Sequence, residues 1–437
     1  MTETNIHLDP TDKWHGFLTL MADVFTSPGF NIFTSLISGW VLSPGRRTIT
    51  QMICAGDPTN KKQHDAYHRF VRCGRWSMDK LWQCMVVSIV LMLSIKGPLV
   101  IDIDDTLFKK TGRKIQGTGI FRDAVRSTKS KVVYSLGLNL VVATLRVNAP
   151  WGGCPIGLPI GVRLHKKGGP TTVDLAEVIA VELSRWFKDR HLEICADGAY
   201  ASLIGRHIPN ATITSRMRKD AALFEAAPEK TLKPGRPRCR GARLKSLDLI
   251  SKDLNKNEFT SREFNCRGKQ VQTLLWSKRV LWYAVDKTKM VTLVIVRDPD
   301  GICPDDFFVT DNESFSDVDV TAHYSGRWSI EVTFRDVKQC LGGEDPQSWK
   351  GEGPERAANL SFWLYSAIWT WHITTYATTP TWIPRPWYLK KRTPSFIDAL
   401  ASLRRTLWTE RIKQVSLKER YPTKIIEGMI DILANAA

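Results

Sequence analysis

Between Pro98 and Met217 this chain alternates apolar β-type runs with acids and one helical segment, in an order that few folds accept. Leu99 to Ile103 is the first run, and Asp102, Asp104 and Asp105 crowd its C-terminal end. Two further strands, YSLGLNLVVATL (134–145) and PIGLPIGVRLH (155–165), follow as a meander. Thr171 to Lys188 reads as a helix, with Leu175, Ile179, Leu183 and Trp186 or Phe187 on one face. HLEICADGAYAS (191–202) reads as a strand ending in Asp197-Gly198 and then a short helix, and ATITSRM (211–217) as another strand. Acids therefore stand at the ends of the first and fourth strands. In an α/β fold, that is a common place for a metal or phosphate site. The order of elements is that of a ribonuclease H-like mixed sheet.

A second feature lies far downstream. In HYSGRWSIEVTFRDVKQCL (323–341), Ile330, Phe334, Val337 and Leu341 recur at helical spacing, predicting one amphipathic helix. Tyr324, Arg327, Glu331 and Lys338 follow at steps of three, four and seven. At about 100° per residue they fall within roughly 60° of arc beside the apolar stripe. Taken alone, such a row is a solvated face with a Glu–Arg pair. Joined to Asp104 and Asp197 it has a chemical reading. Three carboxylates meeting at one point repel one another unless cations neutralise them, which implies Mg²⁺ or Mn²⁺, as a pair. Two such ions about 4 Å apart serve phosphodiester chemistry.

With those residues in view, the chain resembles DDE transposases of bacterial insertion sequences, in the group marked by a Tyr-x2-Arg-x3-Glu-x6-Lys signature. Tyr324, Arg327, Glu331 and Lys338 keep that spacing, and DDT (104–106) and ADGAY around Asp197 match the first two acid motifs. The resemblance covers roughly residues 95–375. It implies that Asp104, Asp197 and Glu331 bind the metals, that hydrolysis at transposon ends frees 3′-hydroxyls, and that these attack target DNA. Tyr324, Arg327 and Lys338 would hold the DNA end. Asp104 is preferred as the first acid because the family pattern is Asp-x-Thr/Ser at the strand end. Asp102 shares its face by alternation, whereas Asp105 points away unless the strand has ended. A protein joining two DNA ends is expected to act as a homodimer.

The remaining segments divide as follows. Residues 1–95 read as helical, with Thr48 as a cap and Arg46 and Arg47 at a turn, either a DNA reader or a plain helical bundle. Residues 96–218 are the first part of the core. Residues 219–315 are a basic β-rich insertion, built on VQTLLWSKRVLWYAVD (271–286), MVTLVIVRD (290–298) and DDFFVTDN (305–312). Residues 316–376 complete the core, and 377–437 form a helical C-terminal region. Related enzymes with such an insertion can pass through a DNA hairpin and stack an insertion tryptophan on a displaced base. Trp276 and Trp282 are the candidates, each with a hairpin-core role as the alternative. Arg236 and Arg238, in the loop KPGRPRCRGAR (233–243), are placed to enter a minor groove or to lie in a basic loop.

Composition agrees with a polyanionic partner. The net charge is +18, and residues 216–279 hold 17 lysines and arginines against 7 acids. The nine cysteines form no CxxC pair or zinc spacing, so a reduced, cytoplasmic setting is expected. The longest apolar run, Met85 to Ile95, is too short to span a bilayer. Two rivals remain. LVIDIDDTLF also fits the Asp-x-Asp-x-Thr motif of haloacid dehalogenase-like phosphatases, with Asp102 as nucleophile and Asp104 as acid/base. A catalytically inactive, DNA-binding descendant of a transposase is the other.

Overall fold

The computed structural model describes residues 9–128, 130–229, 238–382, 384–416, 429, 430 and 433. The first strand, β1 (Leu99–Lys109), runs six residues beyond its apolar start. It lies antiparallel to β3 (Tyr134–Val147) and parallel to β5 (Leu192–Ala196). β4 (Ile156–His165) pairs with the far edge of β3, beside the short β2 (Gly119–Arg122), and β6 (Ala211–Arg216) pairs parallel with β5. The order β4-β3-β1-β5-β6, antiparallel on one side of β1 and parallel on the other, is compatible with the ribonuclease H-like fold expected from the sequence.

The strands read between 219 and 315 continue this same sheet. β10 (Asp306–Thr310) pairs antiparallel with β6. β9 (Met290–Arg297), β8 (Lys269–Leu281) and β7 (Thr260–Cys266) then follow outward, giving ten strands in one sheet among the described residues. A strand needs a partner for its backbone N–H and C=O groups, and the free edge of β6 supplies one.

The helices α1 (Pro10–Thr19), α2 (Ser27–Leu42), α3 (Ile49–Gly56), α4 (His64–Cys73) and α5 (Met78–Met92) precede the sheet. Thr48 caps α3 through the N–H of Gln51. Trp76 and Trp82 are buried as expected. α10 (Gly353–Thr375) is apolar on nearly every face because it is surrounded: it packs on β4, α1, α4, α5 and α11 (Phe396–Ser416). The N-terminal helices, α10, α11 and the sheet thus share one hydrophobic core, from Trp14 to Leu407. α6 (Thr172–Trp186) lies on β3 and β4, opened by a Thr171–Asp174 capping box. The short α7 (Leu247–Asp253) precedes β7.

The helix expected over 323–341 is broken in two. α8 (Asp317–Gly326) and α9 (Trp328–Gln339) meet at Arg327. In an unbroken helix the Arg327 N–H would reach the His323 carbonyl. Here the Arg146 guanidinium takes that carbonyl at 2.9 Å, and the Arg327 N–H turns to Tyr324 O at 3.1 Å. A side chain inserted into the backbone ladder is a recognised cause of a kink. Gly326 permits it, because a Cβ there would run into that guanidinium. The apolar stripe survives the break: Ile330, Phe334, Val337 and Leu341 are all buried.

Candidate active site

The last paired residues of the parallel β1–β5 ladder are Ile103 and Ala196. The next residue in each chain is an acid, so Asp104 and Asp197 leave the ladder side by side, on strands about 4.8 Å apart. α9 crosses β1 and β4 and brings Glu331 to the same place. Two residues of the signature join the three acids. The Arg327 guanidinium bonds Asp104 at 2.7 Å and Glu331 at 2.8 Å. The Tyr324 hydroxyl reaches Asp197 at 3.4 Å.

The electrostatics follow from crowding. Burial pushes Asp104 up to about 7; Arg327 opposes this, and the neighbouring charges of Asp105 and Asp197 add to it. Burial likewise pushes the Tyr324 phenol up. Arg327 is held firmly charged, its acid partners Asp104 and Glu331 outweighing its own desolvation. Its Nε is buried with no hydrogen-bond partner among the described residues.

Asp102 behaves differently from Asp104, two residues away on the same face of β1. It is 0% exposed and ion-paired to Arg146, whose Nε donates to it at 3.1 Å, and Ser329 Oγ at the start of α9 donates at 3.0 Å. A carboxylate so enclosed has no open oxygen for a phosphorus atom, which removes the nucleophile that the phosphatase alternative requires. Asp105 points to the other side, where it accepts from the Tyr200 hydroxyl at 2.9 Å.

The residues beyond β6 contribute to the geometry. Tyr324 stacks on Phe308 of β10 at 4.3 Å, within a small cluster of Leu275, Val294, Phe308 and Val320. Arg267, in the β7–β8 turn, lies 4.1 Å over the ring of Trp328, which is 44% exposed. Neither Arg146, Ser329 nor Trp328 had been singled out from sequence. The only available signal was the charged Arg146 just past an apolar run that had to lie against the acids.

The other expected DNA contacts are scattered. Trp276 and Trp282 are half-buried and packed against the main core. Arg46 is exposed, but Arg47 is buried, with its N–H on Asp345 at 2.9 Å. Lys338 is half-buried on α9, 5.9 Å from the Phe108 ring centroid, and desolvation pushes its ammonium down. Arg238 is exposed, and Arg236 lies outside the described residues.

A family model described as a DDE superfamily endonuclease matches residues 31–280, more than half of the chain. The chain belongs to that family. The match takes in Asp104 and Asp197 and ends before Glu331. DDE superfamily endonucleases act on DNA and generally use divalent metals. No curated protein matches the chain. Among the described residues no helix is long and apolar enough to cross a membrane.

The donors present suit the metals this family uses. All are carboxylate oxygens, the preferred ligands of Mg²⁺ and Mn²⁺, and burial, with the neighbouring Asp105 and Asp197, outweighs Arg327 in pushing Asp104 up. Among the described residues no three His, Cys, Asp or Glu side chains stand close enough to hold an ion as they are. Between Asp104 and Glu331 stands the Arg327 guanidinium.

Proposed function

We propose that the chain is a DNA transposase that cuts at the ends of a mobile element and joins the freed 3′ ends to target DNA. The observation that carries this reading is the convergence of the signature on the acids: Arg327 spans Asp104 and Glu331 while Tyr324 reaches Asp197. In this reading Asp104, Asp197 and Glu331 hold a pair of Mg²⁺ or Mn²⁺ ions. When bound, such a pair activates an attacking oxygen and stabilises the leaving one in an in-line displacement.

The chain's own residues do the rest. Arg327 exchanges its carboxylate partners for a DNA phosphate, and each phosphate so held releases counterions. Tyr324, fixed by Phe308, orients Asp197. Lys338 adds a second cation along α9. Asp102, Arg146 and Ser329 keep the break between α8 and α9 in register with β1. Residues 1–95 and 219–315 grip the flanking DNA, with the exposed Arg46 and Arg238 on that surface. Two protomers bring two ends together.

The test is cleavage of DNA carrying the sequences that flank the coding region. The wild-type chain cuts with Mg²⁺ or Mn²⁺ and stops with a chelator. Binding without cleavage under every metal condition would instead mark an inactive DNA-binding descendant.

A further inference from the structure

Beyond the acids, β1 runs into a cavity of about 640 Å³, of whose lining the mechanism above uses only Arg46. Arg46, Lys109, Lys110, Arg113 and Lys114 line it together with Glu344, Asp345 and Trp349. Glu344 accepts the Lys109 N–H at 2.6 Å, Asp345 accepts the Arg47 N–H at 2.9 Å and pairs with Arg46 at 4.0 Å, and the Lys109 ammonium pairs with Asp123 at 2.9 Å. Lys110 is anchored by the carbonyls of Glu344 at 2.6 Å and Pro346 at 3.2 Å, and burial pushes its ammonium down to about 8. Arg113 and Lys114 are exposed, and among the described residues no acid pairs with either. The charge of Arg113 and Lys114 is therefore left to an outside partner.

The aromatic wall narrows what that partner is. Trp349 is 48% exposed, its backbone carbonyl held by the Gln116 N–H at 3.0 Å and Lys350 4.3 Å over its ring. Cations beside an open indole match a phosphate and a flat base together. Lys109 lies five residues along β1 from Asp104, about 17 Å. That is about five stacked nucleotides of a DNA strand running from the acids. Lys338, near Phe108 of β1, senses the charges of Glu344 and Lys109.

We infer that this cavity is a nucleotide-binding site for the DNA strand beyond the cleavage point, with an unstacked base against Trp349 and its phosphates on Arg113 and Lys114. The inference rests on the DNA reading above, and the test separates the two. Anisotropy titrations use the full chain, a labelled oligonucleotide of about ten thymidines, and an abasic strand of the same length. Trp349→Ala binds the thymidine strand about tenfold more weakly and the abasic strand unchanged, while Trp349→Phe stays close to wild type. Arg113→Ala/Lys114→Ala lowers the salt slope by about 1.4 on both strands.

Equal binding of the thymidine strand by wild type and Trp349→Ala would overturn the inference and leave the DNA reading standing. Equal weakening of Trp349→Ala on both strands would reduce Trp349 to a structural role and overturn it too. So would a free deoxynucleoside monophosphate that binds as tightly as the strand. A wild-type chain that binds neither strand would sink the DNA reading itself.

Discussion

Asp102 and Asp104 leave the same face of the same strand, two residues apart, and meet opposite fates. Asp102 lies under α8 and α9, where Arg146 and Ser329 use up its oxygens. Asp104 lies one step past the end of the parallel ladder, beside Asp197, and its one cationic partner is also shared with Glu331. The first is a buried pair whose value is geometric: it sets the break at Arg327 that turns Tyr324 and Glu331 toward the acids. The second is a carboxylate that the fold does not fully neutralise. The lesson is that in a DIDD run the position of the ladder's end, rather than the residue type, separates an enclosed, ion-paired acid from one that stands among other acids.

That contrast can be broken most sharply at the reactive end. Asp104→Ala, Asp197→Ala or Glu331→Ala each lowers DNA cleavage by more than about a thousandfold, roughly 4 kcal/mol of transition-state stabilisation, with DNA binding retained. Cleavage assays and gel shifts on the same preparations check this. At the structural end, Asp102→Ala leaves Arg146 buried and unpaired. It destabilises the fold by about 3–5 kcal/mol in denaturant titrations.

Asp104→Asn, in contrast, costs less than about 1 kcal/mol. Its effect also has a pH signature. Asp104 is raised from 3.8 to about 7, so the folded state holds its proton more tightly than the unfolded chain. The wild type therefore loses stability as pH rises from about 4 to about 7, while the asparagine variant does not lose that share. Melting curves of both, taken with chelator across that range, should diverge upward in favour of the variant. Ser329→Ala removes a single hydrogen bond to Asp102 and should cost about 1 kcal/mol. Smallest of all, Arg327→Ala flattens the salt dependence of DNA binding by about one phosphate, a slope change of roughly 0.9.

Much of this arrangement is legible in sequence because burial writes it there. The apolar runs of β1, β3, β4, β5 and β6 and the stripe Ile330, Phe334, Val337 and Leu341 are read from periodicity alone. The acids stand out because charges at the ends of such runs need a reason. What could not be read depends on partners remote in the chain. The kink at Arg327 is caused by Arg146, a strand residue whose guanidinium competes for one carbonyl. Arg47 looks like a surface arginine at a turn, yet it is buried beside Asp345 and Gly342. The strands β7 to β10 have a β pattern but no mark saying that they attach to β6. β2 and α7 are short and β7 is largely exposed, so they carry little periodic signal.

The central claim is that Asp104, Asp197 and Glu331 share divalent ions at one point. Titration of Mn²⁺ into the full-length chain, read by the paramagnetic resonance of free Mn²⁺, tests it without reference to any DNA sequence. The account predicts saturable Mn²⁺ binding by the wild type, weakened at least about tenfold in Asp104→Asn, Asp197→Asn and Glu331→Gln alike. Mn²⁺ affinity that is the same in all three variants as in the wild type would contradict it.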